Sequence, residues 1–163
     1  MRVRSYVSRD KAWLRDILER SETFTDEEID LAIEVIEEAE NSPESRDYEI
    51  LCAEDGQRRL LGYICYGPIP ITDRCFDLYW LCVDQNTSRK GVGGLLLSAM
   101  EHGIEEKAGR HIYVDTSSTA PYLKARSFYE KHGYRVASVF PDFYRDGDDK
   151  VVYLKKLMEA GAS

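Results

Sequence analysis

The sequence predicts a single mixed α/β domain that covers residues 1–163. The 163 residues suffice for one domain with a substantial core and are too few for two ordinary domains. Apolar residues make up 43% of the chain and charged residues 32%, which is typical of a globular protein. Segments with helical and strand-like apolar periodicity alternate along the chain, with no repeat, linker or low-complexity stretch between them.

The N-terminal part is predicted to form one strand and two helices. The strand is expected at residues 2–7, and Ser8 is placed to cap the first helix. The apolar positions of that helix are Trp13, Leu14, Ile17 and Leu18. In the stretch FTDEEI, Thr25 and Glu28 have the spacing of a capping box, which predicts the start of the second helix. The sequence Asn41-Ser42-Pro43 is expected to end it.

Three strands are predicted in the middle of the chain. Residues 48–54 and 60–66 flank Asp55-Gly56, a strong hairpin signal. The following Gly67-Pro68 is expected to break the pairing. Residues 75–83 (CFDLYWLCV) are almost continuously apolar or aromatic, which favours a central strand covered on both faces.

The C-terminal part is predicted to contain two helices and three strands. The helices are expected at residues 92–108 and 121–132, the second ending at Gly133. The strands are expected at residues 111–115, 134–140 and 150–157. The segment PDFYRDGDD between the last two strands holds four aspartates without EF-hand spacing, so it is interpreted as a hairpin turn.

Composition also limits the function and the location. The net charge of −8 disfavours nucleic acid as the main partner. No apolar run approaches the roughly 18 residues of a membrane span, and the N-terminus lacks the apolar segment of a secretory signal. A cytoplasmic protein without a membrane partner is therefore expected.

The cysteines and histidines do not predict a metal site. The four cysteines contain no CxxC pair, and the three histidines are scattered without metal-ligand spacing. Reduced cysteines buried in strands are the expectation.

A glycine-rich stretch, SRKGVGG at residues 88–94, lies between the central strand and the next predicted helix. A P-loop is excluded because Lys90 precedes the glycines, and a GxGxxG fingerprint is excluded because Leu96 occupies the third glycine position. Glycines at a helix start let backbone N–H groups approach an anion, and Arg89 and Lys90 add two cations. Taken alone, the stretch fits an anion site and a tight turn equally well.

Two spaced motifs resolve this ambiguity. WLCVDQNTSRKGVGGLLL (residues 80–97) and ARSFYEKHGYR (residues 125–135) resemble the GNAT family of acetyl-CoA-dependent N-acetyltransferases. The strand HIYVDTSS at residues 111–118 lies where the fifth strand of that family belongs, and the order of elements matches along essentially the whole chain. The resemblance implies the GNAT-like N-acyltransferase fold, with a mostly antiparallel seven-stranded sheet, splayed strands 4 and 5, and helices on both faces.

The resemblance also implies how acetyl-CoA binds. The backbone of strand 4 would pair with the pantetheine arm in the gap between strands 4 and 5, and the glycine loop would wrap the pyrophosphate. The strand residues concerned are Leu81, Cys82 and Val83, and the loop residues are Arg89, Lys90, Gly91, Val92, Gly93 and Gly94.

For catalysis, the resemblance assigns Tyr129 to protonation of the departing CoA thiolate. When the sequence is aligned on the glycines, Asp77 falls where the histone-acetylating branch has its glutamate base. Asp115 near the end of strand 5 is the second candidate base, and a water chain without a dedicated carboxylate is the third.

Two positions depart from the pattern of the family. Ser88 stands where Gln or Arg is common, so Arg89 and Lys90 are expected to carry more of the phosphate binding, and neutralising them should raise the KM for acetyl-CoA. Tyr122 stands where an asparagine often holds the pantetheine, and it is retained here as a cofactor-contacting candidate.

The acceptor side is less defined. Residues 21–45 hold ten acids and no lysine or arginine, which fits either an attraction for a cationic amine or an ordinary solvated helix face. Five aromatic residues could line an acceptor pocket or belong to the core: Phe24, Tyr63, Tyr66, Trp80 and Tyr144.

The sequence thus predicts an acetyltransferase that acts on an amine by direct attack, with a small-molecule acceptor favoured over a protein lysine or N-terminus. A non-catalytic acyl-CoA sensor is the alternative from another functional class. Monomer and homodimer both stay open.

Overall fold

The computed structural model describes residues 1–87 and 91–157. Within these ranges it contains seven strands: Arg2–Ser5 (β1), Glu49–Glu54 (β2), Leu60–Pro68 (β3), Cys75–Val83 (β4), His111–Ser117 (β5), Arg135–Arg145 (β6) and Asp148–Lys156 (β7). It also contains four α-helices: Lys11–Arg20 (α1), Asp26–Asn41 (α2), Val92–Glu106 (α3) and Leu123–Lys131 (α4). Short 3₁₀ turns at Ser8–Asp10 and Ala120–Tyr122 precede α1 and α4. The order of the elements is the predicted one.

The start of α2 confirms the predicted capping box. Thr25 Oγ1 accepts a hydrogen bond of 3.2 Å from the backbone N–H of Glu28, and the Glu28 carboxylate accepts one of 2.7 Å from the N–H of Thr25. The helix α1 is present as predicted, with Leu14, Ile17 and Leu18 buried, but the predicted capping role of Ser8 was wrong. Ser8 lies inside the 3₁₀ turn, and Asp10 occupies the N-cap position of α1 without a side-chain cap bond.

Two predicted interruptions of strands were also wrong. β3 continues through Gly67 to Pro68, which still lies opposite Phe76; a proline is tolerated there because it is the last residue of the strand. The segment PDFYRDGDD is mostly strand, and the turn shrinks to the two residues between Arg145 and Asp148. Its aromatic residues favour extended backbone, and Gly147 (φ +77°) supplies the left-handed conformation that a tight hairpin needs.

The sheet has the order β1-β2-β3-β4-β5-β7-β6, and every pairing is antiparallel except that of β4 with β5. The register joins β4 to β5 only from Cys75 opposite His111 to Leu78 opposite Val114. Just beyond, β4 carries one more residue than β3, because Cys65 lies opposite Trp80 while Tyr66 lies opposite Leu78. The C-terminal ends of β4 and β5 therefore separate, which confirms the predicted splay.

Helices cover both faces of the sheet. The face under α1 and α2 is buried by helix residues such as Leu14, Ile17, Ile33 and Ile36 packed on Cys52, Tyr63, Cys65 and Cys82. The face under α3 and α4 is buried by Leu96, Met100, Ile104 and Tyr129 packed on Ile64, Phe76, Leu78 and Val114. All four cysteines are free thiols and buried, as predicted. Among the described helices, none has both the length and the apolar character to cross a membrane.

Candidate functional site

A cleft of about 280 Å³ occupies the gap between the separated ends of β4 and β5. One wall is formed by Leu78–Val83 and the other by Val114–Thr116. Gly93 and α4 close it on one face of the sheet, and residues just before α2 close it on the other. The cleft therefore passes through the sheet where the two strands part.

The β4 wall contains the three strand residues predicted to contact the pantetheine. Leu81, Cys82 and Val83 all line the cleft. They pair with β3 on one side, while the register with β5 on the other side has already ended at Leu78. Backbone N–H and C=O groups along this edge can receive an extended ligand in the manner of an added strand.

The start of α3 approaches the same cleft. Gly91 is the N-cap residue of α3 with φ +87°, a conformation that a glycine adopts without strain, and Val92 is buried. Gly93 lines the cleft, and a Cβ added there would lie 3.3 Å from Cε2 of Phe128. The unpaired N–H groups of this first turn and the positive end of the helix dipole favour an anion. Three predicted loop residues, Ser88, Arg89 and Lys90, lie outside the described residues.

Gly94 serves the contact between α3 and α4. A Cβ there would lie 3.3 Å from Nε2 of His132, whose ring is tilted against Phe128 with 4.3 Å between the ring centroids. Two of the three glycines thus permit close packing against α4 in addition to any approach of a phosphate.

Tyr129 lies on α4 and forms part of the cleft lining. Its side chain is buried among aromatic rings, with centroids 5.7 Å from Tyr134 and 6.0 Å from Tyr153. Its hydroxyl has no hydrogen-bond partner among the described residues. Burial raises the pKa of Tyr129, so the phenol is protonated at neutral pH and is a weaker acid than a phenol in water.

The two candidate bases differ in their surroundings. Asp77 is half-buried on β4 opposite Tyr113, one residue before the cleft lining begins. Burial raises the pKa of Asp77 to about 6, the negative charge of Asp115 adds to the rise, and Lys150 opposes it. Asp115 lines the cleft, is exposed, and forms an ion pair of 3.2 Å with Lys150 Nζ.

Tyr122 also lines the cleft, but its hydroxyl points to α2. It donates a hydrogen bond of 2.6 Å to Glu28 Oε1, and the ring of Phe24 meets its ring edge-on at 6.5 Å between centroids. The same Glu28 closes the capping box through its other oxygen. One side chain therefore both starts α2 and links it to the segment before α4 at the mouth of the cleft.

The acidic residues of the segment 21–45 fall into an exposed group and an inner group. Those on the outer face of α2 are exposed: Glu27, Asp30, Glu34, Glu37 and Glu38. Glu28 is half-buried and binds Tyr122, and Glu40 binds Tyr6 and Lys11. The aromatic candidates divide as well, since Phe24 and Trp80 line the cleft while Tyr63 and Tyr66 are buried in the core.

Several lining residues were missed by sequence reasoning. Thr116 is buried in the β5 wall, and its Oγ1 has no hydrogen-bond partner among the described residues. Lys124 and Phe128 project from α4 into the lining. Thr116 follows the buried Val114 by two residues and so shares its face, but no local pattern indicates that its hydroxyl is unpaired. The described residues contain no group of three or more His, Cys, Asp or Glu arranged to hold a metal ion.

Known proteins share the sequence pattern and the fold of this chain. The model of the acetyltransferase (GNAT) domain matches residues 46–136. A crystal structure from Desulfovibrio desulfuricans, described provisionally as an acetyltransferase of the GNAT family, is 33% identical; the alignment covers 95% of this chain and 98% of that one, with a TM-score of 0.89. A comparison with curated protein sequences found no significant match.

Two more distant structures share the fold. An aminoglycoside 6'-N-acetyltransferase complexed with coenzyme A is 22% identical, with a TM-score of 0.76 and coverage of 98% of this chain and 99% of that one. The ribosomal-protein-S18-alanine N-acetyltransferase from Escherichia coli is 16% identical, with a TM-score of 0.75 and coverage of 99% and 97%.

Proposed function

This chain belongs to the GNAT family of acetyltransferases, which use acetyl-CoA, and on that premise we propose that it acetylates a small-molecule amine. We propose further that residues 1–163 act as one N-acetyltransferase domain in the cytoplasm, and that the amine attacks the acetyl group directly, without an acyl-enzyme intermediate.

The observation that supports this function best is the cleft through the sheet. On the side of α3 and α4 it offers the unpaired edge of β4, a glycine at the start of α3 and the unpartnered hydroxyl of Thr116. These groups suit the pantetheine and pyrophosphate of acetyl-CoA. On the side of α2 it offers Asp115 and the Glu28–Tyr122 pair, which suit an amine. A donor and an acceptor can thus meet within the gap.

Acetyl-CoA supplies an activated acyl thioester, and the chain supplies the groups that move protons. An amine must lose a proton to attack, and Asp77 is the proposed base. Because its pKa is raised to about 6, it is ionised at neutral pH yet basic enough to accept a proton. Asp115 is less suited because Lys150 already neutralises it. Tyr129, which lines the cleft and is protonated at neutral pH, is the proposed donor to the leaving thiolate.

Acetyl-CoA is proposed to be held by the strand residues Leu81–Val83, by the loop residues Arg89–Gly94 and by Tyr122. In this structure the ring of Tyr122 contributes to the cleft while its hydroxyl is engaged by Glu28. The ring is therefore the part of this residue proposed to contact the cofactor.

A small acceptor is favoured over a polypeptide by the size of the cleft. Phe24 and Tyr122 both line it, and its whole volume of about 280 Å³, which the acceptor must share with part of acetyl-CoA, lies near the lower end for ligand pockets. The aminoglycoside acetyltransferase shows that the same fold serves small amines, and the ribosomal-protein acetyltransferase shows that it also serves proteins.

The test is release of CoA from acetyl-CoA with a panel of small amines and of peptides with free lysines or N-termini. We expect turnover with small amines, and loss of about 10²-fold in kcat for Tyr129→Phe with little change in thermal stability, because its hydroxyl makes no hydrogen bond among the described residues. Unchanged activity in Tyr129→Phe would remove this residue from the mechanism. Turnover confined to peptides would contradict the small-molecule acceptor, and tight acetyl-CoA binding without turnover would favour a sensor.

A further inference from the structure

The ammonium group of Lys150 lies in a cage formed by a carboxylate and two aromatic rings. Its Nζ is 3.2 Å from Asp115 Oδ2, 4.5 Å from the ring centroid of Phe143 and 5.6 Å from that of Phe140. Both ring distances lie within the range of cation–π attraction. The three partners come from β5 and β6, while Lys150 itself comes from β7 between them.

The aromatic side of this cage is open to solvent. Phe140 is 46% exposed, Phe143 55% and Tyr144 44%. Tyr144 extends the aromatic surface, since its ring meets Phe143 edge-on at 5.1 Å between centroids. Neighbouring exposed aromatic rings on a strand lose the stabilisation of burial, so a cluster of them points to a ligand or partner.

The cage is continuous with the cleft. Asp115 belongs to both, as a ligand of Lys150 and as a residue of the β5 wall. Tyr144 lies close enough to Asp115, Asp148 and Glu28 for their charges to add to the rise in its pKa that burial causes. An acceptor bound in the cleft against Asp115 would therefore lie next to the cage.

We infer that the cage of Asp115, Phe140 and Phe143 is a subsite for a second cationic group of the acceptor, with Lys150 as its occupant in the free protein. The inference rests on the proposed function and deepens it: the acceptor class is an amine that carries a second ammonium. Carboxylate and aromatic faces together bind an ammonium whether it belongs to Lys150 or to a ligand, and the side chain of Lys150 is long and flexible enough to swing out to water.

The charges around the cage support exchange of one cation for another. If Lys150 leaves, Asp115 is left without its ion-pair partner near Asp77, whose pKa the charge of Asp115 already helps to raise. A diamine restores the lost positive charge, whereas an amine with one cationic group, already used at the reaction centre, does not.

The experiment compares diamines with matched monoamines. 1,3-Diaminopropane to 1,6-diaminohexane are paired with the n-alkylamines of equal chain length, and both KM in the acetylation assay and Kd by calorimetry are measured. In the wild type we expect a preference for diamines of about tenfold. Lys150→Thr, which keeps a strand-favouring residue but removes the internal occupant, should tighten the calorimetric Kd of diamines about three- to tenfold and tighten that of the alkylamines less. The comparison for this variant uses Kd alone, because Lys150 also acts on the pKa of Asp77 and its loss changes turnover.

Two further variants complete the design. Phe143→Leu should weaken diamine binding about three- to tenfold while its apolar side chain preserves the surface. Lys156→Thr, on the exposed end of the same strand, is the matched control and should change neither series. Melting temperatures of all variants establish that each is folded.

The proposal is overturned if diamines bind no better than alkylamines, if Lys150→Thr weakens diamine binding, or if it changes both series alike. It is also overturned if sedimentation shows a dimer that Phe143→Leu dissociates, because the rings would then serve an interface. Absence of turnover with every amine would refute the proposed function, while the calorimetric arm would still decide whether the cage binds a diamine.

Discussion

The two ends of the cleft are built in different ways. The cofactor half, defined here as Leu81–Val83, Gly91–Gly94 and α4, comes from two continuous segments of the chain. The acceptor half, defined as Phe24, Glu28, Asp115, the hydroxyl end of Tyr122 and the cage around Lys150, is assembled from six separate elements or turns. The cofactor half is largely backbone and apolar surface, whereas side-chain charges dominate the acceptor half.

This difference has a physical consequence for what each half tolerates. Backbone edges and a helix N-terminus keep their binding groups when a side chain changes, provided that the packing around them is kept. Carboxylates and a buried hydroxyl act through one or two atoms, so a single substitution can remove the function. The largest effects should therefore follow changes at the chemical centre between the halves, and the smallest should follow packing changes in the cofactor half.

Asp77→Asn should have the largest effect. If Asp77 accepts the proton from the amine, its amide replacement should lower kcat about 10²-fold or more, with less than a twofold change in the KM for acetyl-CoA. In the wild type, kcat should fall as the pH drops through about 6, where Asp77 becomes protonated, and this limb should be absent from the variant. Steady-state rates between pH 5 and 8 measure both.

The stability of the same variant supplies its control. The pKa of Asp77 is higher in the folded protein than its ordinary value of 3.8, so ionisation opposes folding above about pH 6. Asp77→Asn should therefore melt at a higher temperature than the wild type at pH 7.5, and the difference should vanish as the pH falls below about 4, where both states are protonated. Lower activity together with lower stability at pH 7.5 would indicate damage to the sheet and contradict the catalytic role.

The contrast between the halves also explains what the sequence could predict. The strand before the glycines, the glycine loop and the tyrosine of α4 lie within the segments 80–97 and 125–135, where local spacing carries the information. The order of elements was predictable for the same reason, since apolar periodicity is a local signal. Three residues of the glycine loop, Ser88 to Lys90, lie outside the described part of the chain, so their predicted roles stay predictions.

The acceptor half could not be predicted from local sequence, because its contacts join residues that lie far apart in the chain. Glu28 could be identified as a capping residue from local spacing, but its bond to Tyr122 joins residues 94 positions apart. The ion pair of Lys150 with Asp115 likewise joins β7 to β5. The segment PDFYRDGDD was interpreted as a turn because its aspartates and glycine dominate the local signal, and the pairing of β6 with β7 overrides that signal.

Glu28→Ala should have an intermediate effect confined to the acceptor half. It removes one member of the capping box and the partner of Tyr122, which should lower the free energy of unfolding by about 1–2 kcal/mol and the melting temperature by roughly 3–6 °C. The KM for the amine should rise several-fold because Tyr122 and Phe24 lose their fixed positions. The KM for acetyl-CoA should stay within twofold.

Two neighbouring substitutions isolate the cause. Glu27→Ala removes an exposed acid from the same first turn and should cost no more than about 1 kcal/mol, with no effect on the amine. Glu28→Gln keeps a side chain that can close a capping box and should recover most of the stability. An equal rise in the acceptor KM for Glu27→Ala and Glu28→Ala would mean that net charge, not the bond to Tyr122, controls entry to the cleft.

Gly93→Ala should have the smallest effect, and it acts on the cofactor half alone. Alanine is the better helix former by about 1 kcal/mol, but its Cβ would lie 3.3 Å from Cε2 and 3.4 Å from Cζ of Phe128. Since the ring must move by a few tenths of an ångström, the gain in propensity and the cost of crowding should nearly cancel in stability. The KM for acetyl-CoA should rise about two- to fivefold, because Phe128 and Gly93 both line the cleft.

Gly56→Ala is the matched control, because a Cβ at Gly56 would meet nothing within 4 Å and the residue lies in the β2–β3 turn away from the cleft. It should leave both KM values and the melting temperature nearly unchanged. Gly93→Ala could instead raise the KM for the amine and leave the KM for acetyl-CoA unchanged. Phe128 would then belong to the acceptor half, and the proposed division of the cleft would be wrong. A rise for acetyl-CoA alone would instead place the boundary between α4 and the β5 wall, where the two substrates meet.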